Sequence, residues 1–372
     1  MKSYLLDGRS ATDHFPGIGR YISNLAQALP PILADDEHLL VLRDTTHTSQ
    51  WQLPTSSEKV TIIDTAVSPF SLKQQWQIPG LLKDHNIACY HSPYYLMPYR
   101  IKAPTILTLY DLIPQKYPEY VAAKARLMVN NLTRVAMRCS DRFIAISEAT
   151  RQDFLEAFAL SPDQVTAVPL AADPKFKPET EAAIAEIQQK YQIPPNYVLY
   201  LGINKPHKNL LNLVKAWQIL QAESSITYTL IISGAWDKRY PEAKQFAIEQ
   251  NIPNIQFIGP VQDVDLPALY SGADLFVFPS IYEGFGLPVL EAMASGTAVI
   301  CSNTSSLPEV GGNAVLYIDP HKVEQIGEQI IKMIQDEELR EAYRQKGLVQ
   351  AKKFSWHNTA VSTLKLYREL SG

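Results

Sequence analysis

Apolar and polar positions alternate in two repeating rhythms along the chain. Short apolar runs at 3–6, 39–42, 60–63, 87–90, 105–108, 142–146 and 164–168 are bounded by turn residues and read as buried strands. Between them apolar residues recur three and four apart, as Ile22, Leu25, Ala26 and Leu29 do, which is helical spacing. The rhythm restarts at Tyr197, with YVLYL, TLIIS, IQFIG, LFVFP and AVICS as further strands. Strands alternating with helices predict an α/β protein with parallel sheets covered on both faces. Ligands of such sheets bind beyond the strand C-termini. A proline-rich stretch, PLAADPKFKPE, and a charged helical spacer at 182–191 separate the two series. The expected organisation is a first domain at 1–173, a linker at 174–195 and a second domain at 196–354. A last helix follows in 355–372, with Ser355 as its N-cap.

Composition narrows the class. At 372 residues the chain suits two ordinary domains, and 46% apolar with 19% charged residues is globular. A net charge of −4 offers no broad basic surface for nucleic acid. Cys89, Cys139 and Cys301 are scattered, odd in number and without CxxC spacing, which argues for a reducing compartment and against a disulfide frame or zinc site. The N-terminal MKSYLLDGRS lacks the apolar core of a signal peptide, and no run approaches a membrane span. The expectation is a cytoplasmic protein. The segment 121–142 carries Lys124, Arg126, Arg134, Arg138 and Arg142 with no acid before Asp141, and Met128, Leu132, Val135 and Cys139 are its expected apolar stripe. Two readings stand for it: a solvated face over a core stripe, or peripheral contact with the inner face of an anionic membrane.

The chemistry concentrates in FVFPSIYEGFGLPVLEAMA, residues 276–294. An apolar strand is followed by a turn with Gly284 and Gly286, and Leu287-Pro288 opens a helix; Pro288 suits a first helical turn and Gly296 a helix stop. Amides at such an N-terminus attract anions. Glu283 precedes the glycines and Glu291 is expected in the first helical turn, so both carboxylates can face one polar ligand.

This E-x7-E around GFGLP resembles the donor site of retaining GT-B glycosyltransferases, family 4 in particular, and the branch that builds bacterial surface polysaccharides, often with mannose. The resemblance covers nearly the whole chain, from DGR and GIGRY to the last helix. It implies two Rossmann-like domains whose parallel sheets face each other across a cleft, the first on the acceptor side and the second binding the nucleotide sugar. LGINKPHKN resembles the family's phosphate-binding loop, so Lys208 neutralises the donor diphosphate, assisted by Lys205. His207 and Ile203 depart from the family's usual residues there. By the same resemblance Glu291 binds the donor ribose and Glu283 the transferred sugar. The amides of Phe285, Gly286 and Leu287 face the leaving group, and Val261 lies in the base pocket. Gly17 and Gly19 form a glycine turn near the donor phosphates.

TLYDLIP resembles a segment in which a histidine lines the reacting sugar; Tyr110 stands in its place, Asp111 is kept, and His91 in HSPYYLMP lies nearby by strand order. The implied reaction is transfer of a mannose- or glucose-type hexose, with retention, to a glycan or lipid-linked acceptor. The donor carries GDP or UDP, and no tightly bound cofactor is implied. The string Asp263-Val264-Asp265 is expected to cap a helix through Asp265 rather than bind a metal, so the transfer is expected to be metal-independent. Two other readings keep the fold: a nucleotide-sugar epimerase, and a catalytically silent glycan- or nucleotide-binding subunit.

Overall fold

Thirteen strands among the described residues form two all-parallel sheets. The computed structural model describes residues 1–12, 16–46, 49–223 and 227–372, and these divide into two units, 1–170 with 355–372 and 171–354. The first sheet holds β1 (Lys2–Asp7), β2 (Glu37–Asp44), β3 (Val60–Thr65), β4 (Ile87–Ser92), β5 (Thr105–Leu109), β6 (Arg142–Ala145) and β7 (Val165–Ala167), in the order β3-β2-β1-β4-β5-β6-β7. The second holds β8 (Tyr197–Leu201), β9 (Thr229–Ser233), β10 (Ile255–Gly259), β11 (Leu275–Phe278), β12 (Ala298–Ser302) and β13 (Leu316–Ile318), in the order β10-β9-β8-β11-β12-β13. Each order reverses beside its first strand, which opens a crevice at the strand C-termini. Central strands such as β11 and β12 are buried along their whole length, as parallel strands covered by helices on both faces must be.

The first core gathers Leu5, Leu40, Tyr90, Leu107 and Phe143; the second gathers Val198, Tyr200, Trp217, Leu230, Val277 and Ile300. The strand β13 was not expected: three residues, two of them only half-buried, leave too little apolar pattern to read. Residues 174–195 lie in the second unit, where the helix Glu181–Tyr191 places Lys190 and Tyr191 on Asp265. The helix Trp356–Leu370 lies in the first unit. Ser355 caps it through Asn358 N at 3.1 Å, Thr359 Oγ1 donates to Pro169 O at 2.7 Å, and Arg368 grips both oxygens of Glu37 at 2.7 Å each.

The basic segment contains the helix Ala123–Arg138, but its buried face is Thr133, Ala136 and Met137. The stripe expected through Met128 and Val135 is misphased: these two are exposed, with Leu127 beside them. Of the other two stripe residues, Leu132 is half-buried and Cys139, just past the helix end, packs against the first core. No helix among the described residues is long and apolar enough to cross a membrane.

Candidate functional site

In the second unit the crevice is built by loops leaving β8, β11 and β12. After β8 the chain makes a single 3-10 turn, Pro206–Lys208, which ends at Asn209 in the left-handed region (φ +58). The helix Leu210–Glu223 therefore starts one residue after Asn209. The Asn209 amide donates to Pro279 O at 3.0 Å and Pro320 O at 2.6 Å, and Ile281 N donates to His207 O at 2.8 Å. The turn is thereby stitched to the loop after β11. That stitching carries Lys208 Nζ to both carboxylate oxygens of Glu283, at 2.7 and 2.9 Å, with the side chains only 16% and 11% exposed. The ammonium also stands 5.2 Å over the Phe278 ring.

A row of hydroxyls that the sequence reading passed over holds the glycine turn. Ser305 Oγ accepts from Glu283 N at 2.9 Å, Ser306 Oγ donates to Glu283 O at 2.9 Å and Phe285 O at 2.7 Å, and Thr304 Oγ1 donates to Ile281 O at 2.9 Å. The signal for them was the polar run SNTSS directly after the buried AVIC. Gly286, at φ +109, precedes the helix Leu287–Ala294, and a Cβ there would stand 2.7 Å from Leu307. The turn thus delivers the amides of Phe285, Gly286 and Leu287 to the positive end of a helix, beside half-buried Gly284.

Other residues differ from expectation. Glu291 is the fifth residue of that helix rather than part of its first turn; it is 2% exposed and accepts from Tyr270 Oη at 3.2 Å. His207 is buried, and burial, then Lys208 and Lys205, pushes its pKa down to about 3, so it adds no charge at neutral pH. Lys205 is exposed, and Val261 is half-buried two residues beyond Gly259 (φ +72). Asp265 occupies the N-cap position but in helical geometry, and its side chain does not cap. It takes Lys190 at 2.7 Å and the Tyr191 hydroxyl at 2.6 Å, while Asp263 pairs with Lys175. Both carboxylates of the DxD string are engaged by lysines on different elements.

In the first unit Gly17 and Gly19 lie inside the helix Pro16–Ala28, not in a turn. A Cβ at Gly19 would run into the Trp51 indole, whereas one at Gly17 would meet nothing within 4 Å. Gly19 is thus a close-packing position. His91 is fully buried. Its Nδ1 pairs with Tyr367 Oη and its Nε2 with Thr108 Oγ1, each at 2.7 Å, and burial lowers its pKa to about 3. A direct catalytic part for His91 is not supported by that placement. Asp111 accepts from Ile113 N at 3.0 Å, shaping the turn into the short helix Ile113–Lys116. Tyr110 meets Tyr21 edge-on at 6.0 Å. Of the tyrosines gathered at 90–120, Tyr90 is core and donates to Asp7 at 2.7 Å, while Tyr94 donates to Tyr95 and Tyr99 to the Tyr95 carbonyl, a packed-loop arrangement. The structure brings Lys208, Glu283 and the glycine turn together in the second unit, and keeps His91 and Gly19 as packing positions in the first.

Known sequences and structures match this architecture. Residues 183–349 match the family described as Glycosyl transferases group 1, and residues 16–176 that described as Glycosyltransferase Family 4. The O-antigen chain mannosyltransferase B of Escherichia coli is 35% identical over 304 residues, covering 80% of this chain and 77% of that protein. The Escherichia coli serotype-specific mannosyltransferase WbdA is 32% identical over 264 residues, 69% of this chain but 32% of its own length. Among solved structures, Anabaena Alr3699/HepE in complex with UDP-glucose superposes with a TM-score of 0.76 at 16% identity, covering 99% of this chain and 100% of that one. Sucrose-phosphate synthase from Thermosynechococcus elongatus gives 0.75 at 20% identity, over 100% and 99% of the chains. At such identities the structural likeness establishes the fold, GT-B, with two Rossmann-like domains.

Proposed function

The chain belongs to glycosyltransferase family 4 and performs glycosyl transfer, and from that premise we propose that it moves a mannose-type hexose from GDP-mannose to a growing glycan or lipid-linked acceptor, with retention of anomeric configuration. The observation that carries the donor site is the Lys208–Glu283 pair set against the glycine turn before Leu287–Ala294. As the bond to the leaving diphosphate breaks, negative charge grows on its oxygens and the sugar takes on oxocarbenium character. Lys208, with Lys205 at the loop edge and the amides of Phe285, Gly286 and Leu287, faces that charge. Glu283 contacts the transferred sugar, and Glu291, held by Tyr270, binds the donor ribose. Val261 and the backbone around Gly259 receive the base.

The acceptor hydroxyl attacks the face that the diphosphate leaves, and the departing phosphate oxygen takes its proton. No side-chain base is then required, which accords with the buried, engaged state of His91. The reaction proceeds without a metal: both carboxylates of the DxD string serve lysines. Mannose is favoured by the names of the matched Escherichia coli proteins. The enzyme works in the cytoplasm. It touches the inner face of the membrane through 121–142, where Leu127, Met128 and Val135 are exposed at 62%, 58% and 38% on a face shared with Lys124, Arg134 and Arg138.

The test is thermal unfolding with GDP-mannose, UDP-glucose, UDP-N-acetylglucosamine and UDP-galactose, each against its bare nucleotide. A donor present at 100 times its Kd stabilises by about 2.7 kcal/mol. GDP-mannose is expected to raise the melting temperature beyond GDP, and NMR of the product to show the donor's anomeric configuration kept. The reading falls if no nucleotide sugar exceeds its bare nucleotide.

A further inference from the structure

Residues 279–286 join β11 to the helix Leu287–Ala294 without forming a helix or a strand, so no regular ladder settles their backbone N–H and C=O groups. The loop after β12 supplies partners as side-chain hydroxyls. Glu283 is held at both of its main-chain groups by consecutive residues. Its N–H donates to Ser305 Oγ at 2.9 Å, and its C=O accepts from Ser306 Oγ at 2.9 Å. Ser306 Oγ also reaches Phe285 O at 2.7 Å, so one fully buried hydroxyl serves two carbonyls of the same turn.

Two features set these hydroxyls apart from ordinary loop polarity. Ser305 sits at φ +52, in the left-handed region that residues other than glycine adopt uncommonly. Glycine would relax that backbone but lose the hydroxyl, so the strain falls on the residue that takes the Glu283 N–H. The second feature is the geometry of the peptide plane. A trans peptide sets its C=O and N–H on opposite edges, so drawing Phe285 O onto Ser306 turns the Gly286 N–H away from it. Ser306 lies fully buried beneath the turn, whereas Glu283 and Leu287 are half-buried. The Gly286 amide is thereby turned to the open side, at the positive end of the helix Leu287–Ala294.

The same clamp sets the Glu283 carboxylate. With its N–H and C=O both fixed, the side chain leaves the turn from one place, and its two oxygens meet Lys208 Nζ at 2.7 and 2.9 Å. A reacting group misplaced by about 1 Å can lose roughly 100-fold in rate. We propose that Ser305 and Ser306 are positioning residues for glycosyl transfer. Ser305 fixes Glu283 against the transferred sugar, and Ser306 fixes both Glu283 and the Gly286 amide that faces the leaving diphosphate. The assignment rests on the donor site proposed above and adds to it two residues that act only through Glu283 and the turn.

The experiment follows nucleotide release from GDP-mannose and UDP-glucose by the whole chain. Wild type is compared with Ser305→Gly, Ser306→Ala, Glu283→Gln and the double variants of each serine with Glu283→Gln. Wild type is expected to turn over one of the two donors. Each serine variant is expected to lose at least tenfold in kcat while the KM for that donor changes less than threefold. Ser305→Gly, which relaxes the backbone, is expected to keep the wild-type melting temperature, and it carries the test if Ser306→Ala does not fold. In the Glu283→Gln background Ser305→Gly is expected to cost less than threefold more, because it acts through that carboxylate, whereas Ser306→Ala keeps part of its effect through Gly286. Wild-type kcat in a folded serine variant overturns the role of that serine. A Ser305→Gly loss that multiplies in full with that of Glu283→Gln does the same for Ser305, and both results leave the donor site standing. No nucleotide release from either donor by wild type, or full kcat in Glu283→Gln, removes the donor site and this assignment with it.

Discussion

Lys208 closes on both oxygens of Glu283, at 2.7 and 2.9 Å, across 75 residues of sequence. Each is the other's counter-ion in a largely covered place, so a donor diphosphate reaching Lys208 must share it with Glu283. On the proposed reading, phosphate binding at Lys208 and sugar contact at Glu283 are coupled by this one contact.

Removing one member of such a pair leaves an uncompensated charge, at roughly 3–5 kcal/mol. Glu283→Ala is therefore expected to lose stability as well as activity. Glu283→Gln keeps the shape and should lose about 100-fold or more in kcat. Lys208→Met/Glu283→Gln should be more stable than Lys208→Met alone, as urea unfolding would show; a double variant as unstable as the sum of its singles removes the coupling.

Two glycines predict opposite outcomes. Gly286→Ala places a side chain at φ +109 against Leu307 and should cost on the order of 1–3 kcal/mol, with the turn and transfer lost together. Gly17→Ala meets open space in a helix and should gain about 0.4–1 kcal/mol. If Gly17 approaches the donor, that more stable variant will show a raised donor KM; an unchanged KM assigns Gly17 to the helix alone.

Acid should weaken the fold in two windows. His91 and His207 have folded pKa values near 3, below the ordinary 6.5, chiefly through burial. The unfolded chain therefore binds protons that the folded one refuses, and stability falls as pH drops from 6.5 towards 3. Glu37, held near 2 chiefly by the hydrogen bonds from Arg368, adds stability above 4.5 that is lost as pH falls towards 2. Arg368→Ala should flatten the second window and spare the first, read by urea midpoints across pH.

The exposed face of Ala123–Arg138 should sediment with vesicles of anionic phosphatidylglycerol and not with neutral phosphatidylcholine. Each basic residue near such a surface contributes about 1 kcal/mol, so Arg134→Glu/Arg138→Glu should lower binding at least tenfold, and added salt should do the same. Leu127→Glu/Met128→Glu tests the apolar share. Binding unaffected by both pairs would leave this face a solvated one.

The strand rhythm and the glycine turn were legible because both are local: apolar runs bounded by turns, and two glycines before Leu287-Pro288. The pairing of Lys208 with Glu283 was not, since no spacing rule links loops from different strands. Ser305 and Ser306 hid in an ordinary polar run, their role fixed only by where β12 ends. In Ala123–Arg138 the period was right and the phase wrong, because Thr133 and Ala136, not Met128, meet the core.

The Glu37–Arg368 grip also sets an order of events during synthesis. The second unit is continuous, 171–354, and is complete before the last helix has been made. The first unit begins earlier yet waits for Trp356–Leu370 to supply Tyr367 to His91 and Arg368 to Glu37. Chains emerge at roughly 5–20 residues per second, so the sheet that starts first spends the translation of its neighbour with one flank open, and a ribosome stalled before residue 355 carries a finished second half on an unfinished first.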